Sequence, residues 1–516
     1  MALGARVWKS RLIRNETYGF PMTSRSSRLT TVAAVAGLLI YGFLISRYAY
    51  YSVWGSDPTG YINVARSLLE RRIAQPEPAL EDLNLPDQFT QSFSPLGYTP
   101  GPRPHSLAPV YPVGYPLHMA GAALIFGWKY GPFLVSPLAA VLSLVLIYLA
   151  GMELGLTRGL AISGAAILAL NPTFCLNAIQ PISDGVATCW SLLAILAALR
   201  SRRSEIWGLA AGAAFGMAFL VRPSSVLLLI PLFLSLRLTL KVLSLFLLGG
   251  LPFAGVFCAY NAAVFGNPLM TGYVATGHQN LVTLSGFTVR FRHYIYWLAV
   301  TMSPLPLLGW AGVALNRNVK LRDRALLISW FGVFLLFYCC YFHCEEWTYT
   351  RFLLPGMPAL ILGALLVIRD LGKLFERSAG ATSWVWLRRA AVTILLVIVI
   401  GCERQSIQRF RLLKIAALST VHSEACRWAD GLLPKQSLVV ATEMSGAIRF
   451  YTGRPIVRQD WVDADQWRTL QTRAAEKGYR WYALLASREV EEAQRRLPGR
   501  WIKMGTLEHI SLWQII

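Results

Sequence analysis

The sequence predicts an all-α polytopic membrane domain with about 11 transmembrane helices, interfacial helices in its first outer loop, and a small C-terminal soluble α/β domain. Three observations carry that fold class. Hydrophobic residues make up 55% of the 516 and charged residues only 15%, with a mean hydropathy of +0.45, so a water-covered surface cannot be built. Apolar runs of membrane-spanning length recur between residues 29 and 402. After about residue 420 they give way to short strand-like runs and amphipathic segments closed by glycine.

Residues 1–28 carry Lys9 and five arginines and lead into an apolar span with no A-x-A-like cleavage site, so a cytoplasmic basic N-terminus is expected rather than a signal peptide. The membrane domain is expected over 29–402, with spans near 29–49, 132–151, 159–175, 181–199, 206–221, 224–236, 242–264, 294–314, 325–342, 352–368 and 389–402. The run 107–127, "LAPVYPVGYPLHMAGAALIFG", is apolar too, but Pro109, Pro112 and Pro116 crowd its first half. Charge decides its reading. Arg200, Arg202 and Arg203 form one loop cluster, Arg317, Lys320, Arg322 and Arg324 a second, and Arg369, Lys373, Arg377, Arg388 and Arg389 a third. All three face the cytoplasm with the N-terminus only if 107–127 does not cross, which predicts a re-entrant or interfacial helix inside a first outer loop 50–131. The turn 172–181, the turn at Arg222 and the loops 265–293 and 343–351 then share the outer face.

Residues 403–516 are expected outside, as a linker and the α/β domain. "KQSLVVAT" (435–442) and "YRWYALLAS" (479–487) read as strands, and 464–478 and 488–499 as helices. "YTGRP" (451–455) reads as a turn beside a strand, with Gly453 serving the backbone and Arg454 exposed. The plain reading of this domain is a structural or acceptor-guiding lid.

The net charge of +22 lies in short clusters between apolar runs, which makes it a topology signal and excludes a nucleic-acid-binding domain. The eight cysteines lack metal-ligand spacing, and most lie in or beside apolar runs. Polar groups gather on the predicted outer face instead: Asp57, Ser183, Asp184, Arg222, Asn267, Tyr273 and Arg351. Ionisable groups at the edge of a membrane domain are costly and pair or serve a site. For Asp57, before Pro58, a purely structural helix N-cap competes with a functional role. The segment after it places Tyr61 and Ala65 at helical spacing, an amphipathic helix suited to lie on the membrane with Asp57 at its exposed start.

The order of "SDPTGY" (56–61), "YPVGYPL" (111–117), "NPTF" through "ISD" (171–184), "GMAFLVRPSSVLLLIP" (216–231), "FGNPLMTGY" (265–273) and "RFLLPGMPAL" (351–360) resembles the polytopic glycosyltransferases of the GT-C type. It is most similar to bacterial relatives of the protein O-mannosyltransferases and the lipid A aminoarabinose transferases. The resemblance implies transfer of a sugar from a polyprenyl-phosphate donor to an acceptor hydroxyl at the extracytoplasmic face of a bacterial inner membrane. It implies an unidentified glycan, lipid or protein acceptor, membrane lipids as surroundings and no nucleic acid. That chemistry needs a base for the acceptor proton, for which Asp57 is the candidate with Asp184 beside it, and a cation for the leaving phosphate. Arg351 is the first candidate for the phosphate, Arg222 the second, and His118 stands near where some relatives have a lysine. Tyr61, Tyr111, Tyr115, Asn267 and Tyr273 are expected to line the site. One base and a single displacement imply inversion at the anomeric carbon. No cofactor is expected. A divalent cation stays open through His343 with Glu345 or Glu346 in "HCEEW" (343–347), whose default reading is a polar loop. The competing class is a transporter or lipid flippase, which shares many spans and intramembrane charges.

Overall fold

The computed structural model describes residues 25–73, 75–341, 345–378 and 383–516. The N-terminal residues 1–24 and His343 lie outside that set. Helices dominate up to Leu432, and the chain ends in a mixed five-stranded sheet. Among the described residues four helices are long and apolar enough to cross a membrane, Thr31–Tyr48, Gly114–Glu153, Ser183–Arg200 and Leu240–Phe265. Two sharply bent pairs raise the number to six, and Trp207–Val221 and Pro223–Ser235 are shorter apolar helices. The protein is built as an integral membrane protein, with helices more broken than apolar run length predicts.

The first break has a local cause. The expected span 159–175 is split into Arg158–Leu170 and Pro172–Ile179, bent by 64°. Pro172 excludes the helical conformation at Asn171, whose side chain accepts from the Phe174 amide at 3.0 Å and so caps the next helix. The expected span 352–368 begins with a 3₁₀ segment, Trp347–Leu353, that meets the following helix at 80°. Broken backbone of this kind is stable at membrane depth only when protein covers it, and Thr350, Leu353 and Leu354 are buried.

The segment 107–127 starts as the strand Ser106–Pro109 and enters the helix Gly114–Glu153, which is interrupted at Gly127 (φ 71°, ψ 164°). The chain folds back there: a Cβ on Gly131 would lie 2.3 Å from the Ala122 carbonyl oxygen, whereas nine residues of straight helix span about 13 Å. Leu124, Ile125 and Phe126 project from the bend, 73%, 75% and 52% exposed. Between Trp207–Val221 and Leu240–Phe265 the backbones nearly touch. A Cβ on Gly212 would sit 1.9 Å from the Phe246 carbonyl oxygen, and one on Gly249 2.1 Å from that of Leu209.

The C-terminal sheet runs, in spatial order, Ile456–Val457, Ser437–Val440, Arg480–Ala486, Ile510–Ile515 and Trp501–Leu507. The first three strands are parallel and the last two join antiparallel. Both strands and both helices expected from the sequence are present, while the two-residue edge strand and the closing hairpin were not anticipated. Gly453 (φ 69°) ends the helix Ser445–Thr452 as expected. Arg454 is not exposed: its Nε donates to Asp430 at 2.6 Å and its Nη2 to the Leu433 carbonyl at 3.0 Å, closing the end of the helix Leu412–Leu432.

Residues 79–93 and this domain share one core. Leu80, Leu83, Phe89 and Phe93 pack with Leu438, Val440, Trp467 and Leu485, and the Arg458 amide donates to the Ser92 carbonyl at 2.7 Å.

Candidate active site

Asp57 is the second residue of the helix Ser56–Leu69, whose N-cap is Gly55 and whose cap lacks a side-chain hydrogen bond. The structural N-cap reading of Asp57 is therefore set aside. The expectation of a helix lying on the membrane surface is corrected too, because Thr59 through Ala65 are buried between the helix Gly114–Glu153 and the C-terminal helix Ser445–Thr452. The Asp57 carboxylate instead spans two partners from distant parts of the chain. Tyr111 donates its hydroxyl to Oδ1 at 2.7 Å, and Arg351 Nη2 donates to Oδ2 at 2.8 Å. Burial acts to raise the Asp57 pKa, but the Arg351 charge, the bonds from Tyr111 and Arg351 and the Arg222 charge outweigh it and hold the carboxyl below its usual value. Burial pushes the Tyr111 phenol well above its ordinary range, so it stays a donor. Its single proton goes to Asp57, and the Ser56 hydroxyl, 2.7 Å from the Tyr111 oxygen, donates to it.

A second acid and base lie beside the first. Asp184, in the first turn of Ser183–Arg200, is buried and pairs through Oδ1 with Arg222 Nη1. Its Oδ2 is buried and has no hydrogen-bond partner among the described residues. Arg222 leaves the helix Trp207–Val221 in extended conformation before Pro223, which turns its side chain out of the helical row. Its Nη2 reaches the Tyr338 hydroxyl at 3.4 Å, and Tyr338 donates to Ser224 at 2.9 Å. The Phe352 ring lies against both guanidinium groups, 5.4 Å from Arg222 and 5.4 Å from Arg351. Two carboxylates and two arginines thus converge from four separate elements onto one aromatic-walled site.

Of the expected lining residues, Tyr61 bonds Ser183 at 2.8 Å and packs on Tyr111 with ring centroids 4.7 Å apart. Tyr273 meets the other edge of Tyr111 at 6.4 Å. Tyr115 stands behind Tyr61, fully buried and bonded to Ser136 at 2.9 Å, so it supports the wall rather than facing the site. Asn267 is not brought in: it is exposed, and its Oδ1 accepts from the Leu269 amide at 2.9 Å in a local turn. His118 has both ring nitrogens engaged, Nδ1 with the Gly114 carbonyl at 2.7 Å and Nε2 accepting from Trp190 at 3.1 Å. A ring that accepts at Nε2 is neutral and has no proton left to donate to a phosphate.

Ser183, expected on this face, joins the site through Tyr61, whereas Ser56, Tyr338 and Phe352 complete it and were not singled out from sequence, where aromatic and small hydroxyl residues in apolar runs carry no periodic signal. His278 is a further omission. Its ring lies 5.3 Å from that of Tyr273 at the mouth, where burial lowers its pKa against the pull of Asp57.

Glu345 and Glu346 are exposed, Glu345 accepting from Trp297 through its backbone at 3.3 Å, and Glu346 precedes the segment Trp347–Leu353 as its cap. Among the described residues no three His, Cys, Asp or Glu side chains are placed to hold a metal ion.

No family model matches the chain, and no curated protein matches it in sequence. Solved structures do match in fold. ArnT from Cupriavidus metallidurans, crystallised with undecaprenyl phosphate, is 13% identical and aligns over 95% of this chain and 98% of its own, with a TM-score of 0.59. The Archaeoglobus fulgidus oligosaccharyltransferase in its apo form is 12% identical over 88% of this chain and 70% of its own, with a TM-score of 0.57, and it is also known with Zn and sulfate. The arabinofuranosyltransferase AftD from Mycobacteria is 16% identical over 94% of this chain but only 41% of its own, with a TM-score of 0.52.

Proposed function

We propose, from the GT-C glycosyltransferase fold that this chain has, that it is a glycosyltransferase moving a sugar from a polyprenyl-phosphate donor to an acceptor hydroxyl on the extracytoplasmic side of a bacterial inner membrane. The observation that carries this reading is the Asp57 carboxylate held by Tyr111 and Arg351 next to the Asp184–Arg222 pair. A lipid-linked sugar phosphate needs a cation where the leaving oxygen gains charge and a carboxylate where the acceptor loses its proton. Arg351 and Asp57 supply these from adjoining positions.

In the proposed step the acceptor oxygen attacks the anomeric carbon and its proton passes to Asp57. The bond from that carbon to the phosphate oxygen breaks, the electron pair leaves with the lipid phosphate, and the configuration inverts. Arg351 is shared. When a phosphate arrives it competes with Asp57 for the guanidinium, so donor binding relieves Asp57 of the charge that depresses its basicity. Binding the donor thus readies the base. Arg222 holds Asp184 in place and, as a paired guanidinium, offers the phosphate environment hydrogen-bond donors rather than net charge. The buried Asp184 Oδ2, without a partner among the described residues, is suited to accept a hydrogen bond from a substrate hydroxyl.

The test uses full-length protein in lipid nanodiscs with undecaprenyl-phosphate-linked sugars and a panel of envelope lipids and glycans. Product mass is the readout. Covalent transfer is expected, and Asp57→Asn should fold and bind undecaprenyl phosphate yet lose at least about 100-fold in rate, the lower range for positioned acid–base catalysis. Asp184→Asn should lose less. Near-normal transfer by Asp57→Asn removes the base from this position, and a large loss only at Asp184 moves it there. Movement of lipid-linked sugar between leaflets without a covalent product would support a flippase instead.

A further inference from the structure

The helix that carries Asp57 is gripped on two sides within its first turn. On one side a Cβ on Gly60 would fall 2.3 Å from the Tyr111 ring, so that only glycine lets the ring bonded to Asp57 pack flat on the helix. On the other side stands Gly446 of the C-terminal domain. A Cβ there would lie 2.3 Å from Thr59 Oγ1 and 2.6 Å from Thr59 Cβ. Thr59 is two residues from Asp57, and Gly60 follows it.

Directed bonds hold the same seam. Asn63 Nδ2 donates both to the Thr59 carbonyl at 2.8 Å and to the Gly446 carbonyl at 3.1 Å. One turn on, Arg66 Nη1 donates to the Phe450 carbonyl at 2.6 Å while its guanidinium covers the Phe450 ring at 4.1 Å. The Val53 amide, four residues before Asp57, donates to the Tyr451 hydroxyl at 3.1 Å. The Leu96 amide donates to Ser445 Oγ at 3.0 Å, next to the Gly97 on which Gly60 packs. Asn63, Arg66, Val53 and Leu96 thus all bond to the short helix Ser445–Thr452.

We propose that the C-terminal domain is a positioning element for the proposed base: the helix Ser445–Thr452, through Gly446 against Thr59 and Asn63, presses the Asp57 helix onto Tyr111 and fixes where the carboxylate stands. This rests on Asp57 being the base. The physical basis is the steep dependence of proton transfer on placement, in which about 1 Å of misplacement costs about 100-fold. A methyl group at 446 has no space, so either the domain or the Asp57 helix must shift. Gly446 and Asn63 touch no reacting atom and act only through Asp57.

A double-mutant cycle tests this in the full-length protein in nanodiscs. Gly446→Ala is expected to lower transfer at least tenfold, with affinity for undecaprenyl phosphate changed less than twofold. In the Asp57→Asn background, followed in long single-turnover reactions, the same substitution should change the residual rate less than twofold, because groups that act as one unit are not additive. Asn63→Ala, which adds no bulk and serves if Gly446→Ala does not fold, should cost three- to tenfold and likewise lose its effect when Asp57 is absent. Gly446→Ala should also move the acid limb of kcat/KM to higher pH, since the Tyr111 and Arg351 bonds that hold the Asp57 carboxyl down are loosened. Losses that multiply in the double variant, with an unmoved acid limb, would make the seam merely structural. Wild-type transfer by both Gly446→Ala and Asn63→Ala, in a protein that Asp57→Asn silences, overturns the positioning role alone. Near-normal transfer by Asp57→Asn overturns the base assignment and this proposal with it.

Discussion

Arg351 is the residue on which two roles meet. It pairs with Asp57 at 2.8 Å, and its ring neighbours Phe352 and Tyr349 flank the guanidinium. Arg351→Ala is expected to weaken undecaprenyl phosphate binding at least about tenfold, the equivalent of a lost charge-assisted contact, and more if the unneutralised Asp57 then repels the phosphate. The pH profile gives a second readout with a defined sign. In the intact protein Asp57 is held below its usual pKa, so it is ionised through the neutral range and its acid limb in kcat/KM lies below the ordinary carboxylate value. Without Arg351 the strongest influence holding the carboxyl down is lost, the pKa rises, and the limb moves to higher pH. Lysine at this position should restore part of the affinity, lacking the bidentate fork. Unchanged affinity in a folded Arg351→Ala protein would transfer the phosphate role to Arg222.

Close backbone approach organises the membrane helices. Trp207–Val221 and Leu240–Phe265 interlock through Gly212 and Gly249, and the first of these helices ends at Arg222 of the site. Gly212→Val is expected to force the two helices apart and to destabilise the protein by about 1–3 kcal/mol, the usual cost of overpacking. Thermal unfolding in detergent measures it, and an unchanged melting temperature would mean that the pair carries no stability. The spacing Gly208, Gly212, Gly216 was present in the sequence, yet glycine at every fourth position does not name the facing helix. The Asp57 helix shows the same limit. Its apolar stripe at Tyr61 and Ala65 was legible, but whether lipid or protein covered that stripe was not, and protein does.

At the scale of the whole molecule, residues 79–93 and the C-terminal domain are joined through a shared core. Both must then lie on the same side of the membrane. The proposed topology places that side outside and has the chain turn back at Gly127. Single cysteines replacing Arg103, Tyr130 and Asp465, in a variant otherwise lacking cysteine, are expected to react with an impermeant maleimide from outside intact cells. Asp465 is well exposed in its domain, and Tyr130 lies just after the bend, 46% exposed. Protection of Tyr130→Cys alone would show that 114–126 crosses, and protection of Asp465→Cys would invert the domain.

By itself the sequence determined the class of the protein, the presence of a small C-terminal α/β domain and the acidic and basic residues worth attention, because these follow from transfer free energy and from the rarity of charge at a membrane edge. Asp57, Asp184, Arg222 and Arg351 were all named from that rarity. The tertiary structure alone decided how they pair, Asp57 with Arg351 and Asp184 with Arg222. It also withdrew His118 and Asn267 and brought in Ser56, Tyr338 and Phe352. Partnership across about 300 residues has no periodicity to read. It depends on where Asn171–Pro172, Gly127 and the break before Met357 turn the chain, and on a C-terminal glycine that lets the helix of Asp57 sit where it does. Local pattern sets which groups are costly to bury, and only packing sets which partner offsets that cost.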